Sequence, residues 1–225
     1  MSRFGSCLSV AACLALAACS AEREPQATNA NAAAGEAPAL APVDASPTPR
    51  VPQNSNGLAP LTAEGWGPLK IGMTLAEVTA ALGPDSNPEA VGGPDPESCD
   101  QFRPARAPEG MLVMVEDGRL TSISLIRQAK VKTDRGLGLG IPAAEVRAAY
   151  GDKLQATPHK YGEPPQEYLT VWATGGGVPM RAGAAAATGE VPANSRGIQY
   201  EVNASGNVGA IHAGGPSILY VEGCA

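Results

Sequence analysis

Two histidines, His159 and His212, are the whole supply of imidazole in a chain of 225 residues. Metal sites draw three or four ligands from clustered His, Cys, Asp and Glu, and neither H-x-x-x-H nor C-x-x-C spacing occurs. His159, within Pro158-His159-Lys160-Tyr161, reads as a surface or strand-end residue, and His212 as a structural one. A Ser-His-Asp hydrolase wants a G-x-S-x-G elbow, which is also missing. Glu77 and Glu145 tempt as paired acids, yet each falls in the first turn of an expected helix. There a carboxylate caps orphan N–H groups and favours the positive dipole end. Gly136-Leu137-Gly138-Leu139-Gly140 lacks the G-x-G-x-x-G spacing of a phosphate cradle and reads as a backbone requirement. No catalytic residue, metal ligand, cofactor or small-molecule cofactor site is assigned.

The elements that would position such residues come from an internal repetition. Leu69 to Gly83 (L-K-I-G-M-T-L-A-E-V-T-A-A-L-G) aligns without gaps on Leu137 to Gly151 (L-G-L-G-I-P-A-A-E-V-R-A-A-Y-G). Eight of fifteen positions are identical, among them Gly72/Gly140, Glu77/Glu145, Val78/Val146 and Gly83/Gly151. A looser echo follows, Asp117 to Ile123 against Ser205 to Ile211. The offset grows from 68 to 88, which places an Ala/Gly-rich insert at about 173–196 in the second copy.

Each copy reads as a short helix followed by antiparallel strands. Thr74-x-x-Glu77 is a capping box, with Leu75, Val78 and Leu82 on one helix face and Gly83 at its end. In the second copy Pro142 opens the helix, Ala143, Val146 and Tyr150 form the apolar face, and Gly151 closes it. Met111–Val115 and Leu120–Leu125 flank an Asp117-Gly118 hairpin turn. Ile198–Val202 and Val208–Ile211 form its counterpart, Tyr168–Trp172 a further strand and Ile218–Val221 the last. Helices on strands in this order predict an α+β fold of two tandem repeats, 61–130 and 131–225.

Composition bounds the rest. Lys+Arg 16 against Asp+Glu 22 gives −6, which argues against nucleic acid as a partner. No apolar run reaches the ~20 residues of a membrane-spanning helix. From Ser20 to Pro60 the chain has eleven Ala, seven Pro and four Asn but few larger apolar residues, so 19–60 is expected to be a disordered tether. The first eighteen residues combine a basic start, Met1-Ser2-Arg3, with an apolar stretch from Cys7 to Leu16. They end in Leu16-Ala17-Ala18-Cys19, which resembles the lipobox of bacterial lipoproteins. That resemblance implies a signal peptide over 1–18 and lipidation at Cys19. It implies a palmitate-bearing lipid anchor on the periplasmic face of the outer membrane, the sorting following from Ser20. Cys7 and Cys13 then leave with the signal, and Cys99 and Cys224 remain to pair in an oxidising compartment.

Ile71-Gly72-Met73-Thr74-Leu75-Ala76-Glu77-Val78, closing with Leu82-Gly83, resembles the G-M-T-x-x-[EQ]-V…G signature of a small superfamily. Its members include the outer-membrane lipoprotein of the β-barrel assembly machinery (SmpA/OmlA type) and the tandem-repeat β-lactamase inhibitor proteins. The resemblance implies helices packed on one face of an antiparallel sheet, and the second copy departs from it at Ile141-Pro142. No functional residue carries over, because those families' contacts lie outside the motif. The expected function is protein binding by an envelope lipoprotein, as an interaction or assembly module. Inhibition of a hydrolase such as lysozyme or β-lactamase is the first alternative, and an envelope enzyme the second. All five tyrosines and Trp172 lie in the second copy, and Tyr161, Tyr168 and Trp172 are the candidate partner contacts.

Overall fold

The computed structural model describes residues 57–90, 92–174 and 191–224. The signal, Cys19, the tether as far as residue 56 and the centre of the insert, 175–190, lie outside the described residues. Among the described residues the fold is mixed α and β, mostly strand, with two sheets and two short α-helices.

The chain enters through a three-stranded antiparallel meander, β1 (Leu61–Thr62), β2 (Gly65–Trp66) and β3 (Leu69–Lys70). Gly65 is required there: a Cβ would stand 2.1 Å from the Leu69 carbonyl oxygen, and its φ is +144°. The Trp66 indole N–H donates to the Ala59 carbonyl at 2.8 Å, so this large ring is buried without an orphaned donor.

Helix α1 (Leu75–Leu82) begins with the capping box in full. Thr74 Oγ1 accepts from the Glu77 N–H at 3.3 Å, and Glu77 Oε2 accepts from the Thr74 N–H at 2.8 Å. Val78 and Leu82 are buried, whereas Leu75 faces outward at 43% exposure. Helix α2 (Ala143–Tyr150) buries Val146 alone and has no side-chain cap. Glu145 therefore does not act as the capping partner expected of it. Pro142 has neither hydroxyl nor N–H, so neither half of a capping box can form.

Seven strands form the main sheet: β4 (Cys99–Phe102), β5 (Met111–Glu116), β6 (Arg119–Leu125), β7 (Gln155–Pro158), β8 (Glu167–Thr174), β9 (Arg196–Val202) and β10 (Val208–Gly214). Their order is β4-β5-β6-β10-β9-β8-β7, antiparallel throughout. The β5–β6 hairpin turns at Asp117 (φ +48°) and Gly118 (φ +72°). Left-handed φ at both central residues matches the right-handed twist of the strands. Because β8 runs to Thr174 and β9 starts at Arg196, the expected insert loses residues from both ends to strand. The expected last strand, Ile218–Val221, is instead a 3-10 turn over Pro216–Leu219 followed by an irregular tail. Pro216 suits the first position of a helical turn and has no N–H to offer a ladder.

The two helix-to-hairpin junctions use the same bonds. Gly72 N–H donates to Leu120 O at 2.7 Å, and Gly140 N–H to Val208 O at 2.8 Å. Leu120 N–H returns to Met73 O at 2.7 Å, and Val208 N–H to Ile141 O at 2.9 Å. Leu75 and Ala143, which open the two helices, donate to Gly118 O and Gly206 O at 2.9 and 3.0 Å. Both Gly72 (φ +95°) and Gly140 (φ +82°) are left-handed, the conformation glycine adopts without strain.

Strand register sorts the side chains by face. Val113, Ile123, Ala213, Ile198 and Val171 stand opposite one another in a row across five strands. Met111, Leu125, Ile211, Tyr200 and Leu169 form a second row of the same parity, and all ten belong to one buried cluster with Val78 of α1 and Val146 of α2. Between those rows, on the opposite face, run Leu112, Ser124, His212, Gln199, Thr170 and Gln155. The sheet thus has an apolar face toward the helices and a largely polar face away from them.

Candidate functional site

The polar face is where the chemistry-bearing side chains meet. Ser124 on β6, His212 on β10 and Gln199 on β9 are direct cross-strand neighbours. One row along, Ala210, Glu201 and Tyr168 are aligned in the same way. Alternation puts Ser122 and Ser124 on one side of β6 and Ile123 and Leu125 on the other, so the serines become the floor of this face. Ser122, Ser124, Thr170 and Gln199 are all buried.

Glu201 is the hub of a small relay. Its Oε1 lies 3.2 Å from His159 Nε2, a hydrogen bond, and its Oε2 lies 3.8 Å from His212 Nε2, an ion-pair distance. His212 Nδ1 is 2.8 Å from Ser124 Oγ. His159 Nδ1 accepts the Tyr161 backbone N–H at 3.1 Å, which leaves the ring's own proton on Nε2, directed at Glu201. His212 and then, against the cost of burial, His159 hold the Glu201 carboxyl below the usual carboxylate range. The His159 ring stacks on Tyr168, centroids 4.8 Å apart at 20°.

A cleft of about 280 Å³ opens over this floor. Its walls include Gln101, Met114, Ser122, Ser124, Tyr168, Gln199, Glu201 and His212 from the sheet, with Ser217, Tyr220, Glu222 and Gly223 from the C-terminal segment. That segment is fixed at two points. Cys224 is bonded to Cys99 on edge strand β4, with Sγ atoms 2.06 Å apart. Glu222 accepts from the Tyr161 hydroxyl and lies 3.4 Å from Lys160 Nζ. Gly223 packs so closely on β4 that a Cβ would meet Gln101 Oε1 at 3.0 Å. A second, larger cleft of about 480 Å³ lies beside β4 and β5, its lining charges mixed: Asp85, Glu109, Arg103 and Arg127.

Ser124, His212 and Glu201 have the residue types of a nucleophile, a base and an orienting acid. The serine is 2% exposed in mid-strand, and β6 is paired on both sides, so ladder bonds take up the neighbouring backbone N–H groups. Among the described residues no group of three or more His, Cys, Asp and Glu is placed to hold a metal ion.

The sequence candidates separate here. Tyr161 is 64% exposed and fixed by Glu222. Tyr168 is not the surface contact expected of it: it is 7% exposed, buried by its stack with His159. Trp172 is half-buried against Gly197, where a Cβ would stand 2.7 Å from its Cε3. Thr74, Glu77 and Glu145 belong to the helices and have no part in the cleft. Cys19 lies outside the described residues. Ser124, Gln199 and Glu201 went unmarked because no linear motif joins them. The only signals are the L-T-S-I-S-L and I-Q-Y-E-V alternations, and these need the strand register before they converge.

Compared with protein-family models, curated proteins and solved structures, the chain gives no significant match to any of them.

Proposed function

We propose that this chain is an envelope lipoprotein, lipidated at Cys19 on the periplasmic face of the outer membrane, and that its domain acts by binding a protein partner. The observation that carries the reading is the polar face of the main sheet, where hydrogen-bonding side chains line a cleft bordered by the C-terminal segment. An enzyme reading fits less well, because Ser124 is 2% exposed in mid-strand and the ladders on both sides of β6 take up the neighbouring backbone N–H groups that an oxyanion would need. Two tandem repeats are part of the proposal. The supporting facts are the eight identities between Leu69–Gly83 and Leu137–Gly151 and the matched junction bonds at Gly72 and Gly140.

The test is site-specific photo-crosslinking in intact cells, with the crosslinker at Tyr161 beside the cleft and, as control, at Ala144 on α2. A discrete protein adduct at 161 and none at 144 supports the reading. Equal adducts at both positions, or none at either, overturns it. Cys19→Ala should move the chain from the membrane to the soluble fraction, and retention on the membrane would contradict the anchor.

A further inference from the structure

We infer that the cleft beside the C-terminal segment accepts an arginine side chain presented by the partner. The inference rests on the binding function proposed above and names the chemistry of the group that is bound. Its first ground is charge. Glu201 and Glu222 both line the cleft, and among the described residues no Lys or Arg lines it. With Arg3 lost along with the signal, the chain has a formal charge of −7, which favours encounter with a basic surface.

The second ground is spare hydrogen-bonding capacity. Both contacts to Glu222, from Lys160 and from Tyr161, fall on Oε1, so Oε2 is left to accept. Glu201 Oε2 stands 3.8 Å from His212, beyond hydrogen-bond range. Ser217, which lines the same cleft, is 6% exposed, and its Oγ has no hydrogen-bond partner.

The third ground is shape. Tyr220, 51% exposed, lines the cleft along with the two carboxylates, and a guanidinium combines a planar face for aromatic stacking with five N–H donors for carboxylates. At about 280 Å³ the space suits a side chain rather than a larger ligand. The Lys160–Glu222 pair does not block it, because both side chains are about half exposed, 55% and 50%, and such pairs exchange readily.

The experiment titrates the full mature chain with acetyl-arginine amide, following backbone amide NMR shifts, with acetyl-citrulline amide as the uncharged isostere and acetyl-lysine amide alongside. Saturable shifts at Ser122, Ser124, Glu201 and Tyr220 are expected with arginine, several-fold weaker ones with lysine, and none with citrulline. Glu201→Gln should weaken arginine binding about tenfold. Glu222→Gln, in the exposed tail, should weaken it severalfold without touching the relay, which guards against a folding defect in the first variant. Glu145→Gln on α2 should leave it unchanged. Equal binding of citrulline, shifts scattered away from the cleft, or full affinity in both cleft variants would overturn the inference. A face-specific crosslink at Tyr161 without arginine binding would reject the arginine pocket alone. Arginine binding without any crosslinked partner would reject the protein-binding function alone.

Discussion

Glu201 illustrates how one residue can hold a sheet face in order. Its carboxylate collects two imidazoles from different segments, and one of them fixes Ser124 on a third. Its folded pKa lies below the ordinary value of 4.5, so folding favours the charged form. The unfolded chain therefore binds the proton first as pH falls. The stabilisation is complete above that ordinary value and is lost as pH drops through the lower, folded one. The stability gap between wild type and Glu201→Gln should accordingly be full above pH 4.5 and shrink progressively as the pH falls below it, as read by urea unfolding at several pH values. A gap independent of pH would show that the carboxylate's charge is not what matters. Gly197 makes a second, steric point. Ala at 197 would place a Cβ 2.7 Å from both the Trp172 ring and the Val171 carbonyl oxygen, and one of those is rigid backbone. Gly197→Ala should cost about 1–3 kcal/mol by the same measurement.

At the scale of elements, the two helices have like sequences and unlike starts. Thr74→Ala removes a capping bond and should destabilise the fold by about 1 kcal/mol. Glu145→Ala should cost no more than a few tenths, because α2 has no side-chain cap to lose. Equal costs in thermal unfolding would show that Glu145 caps α2 after all. Both hairpins, the β8 strand and both helices were readable from alternation, from Asp117-Gly118 and from the capping box. Strand β4 was not, since Cys99-Asp100-Gln101-Phe102 shows no alternation and takes its place only by pairing with β5. Strand β7 ends in Pro158 and pairs on one side alone, so little in its own residues marks it as strand. The run Ile218–Val221 misled in the other direction, being apolar enough for a strand but preceded by Pro216 and bent into a 3-10 turn. The site was the least legible part. Its residues come from β6, β9, β10 and the tail, and spacing along the chain cannot show which of them share a row.

At the largest scale the deciding feature is that both halves of the described chain share one sheet, joined where β6 pairs with β10. Cys99 and Cys224 are 125 residues apart and tie the C-terminal segment to the edge strand β4. In the chain-entropy model a loop of that length contributes about 4–5 kcal/mol, a large share of the 5–15 kcal/mol typical of a domain. The Cys99→Ser, Cys224→Ser double variant should therefore unfold at markedly lower urea. The same bond bears on the cleft, because Tyr220, Glu222 and Gly223 form one of its walls, and besides the disulfide that wall is secured by side-chain contacts to Lys160, Tyr161 and Glu116 and by close packing on Gln101. Amide exchange resolves the two effects. If the bond only stabilises the fold globally, protection falls in proportion across the core strands and the tail. If it also holds the wall in place, residues 217–223 lose protection under conditions in which β6, β9 and β10 keep theirs. The geometry predicts the second pattern, since the tail has no strand ladder of its own. Arginine binding should then weaken in the double variant even while the sheet remains folded.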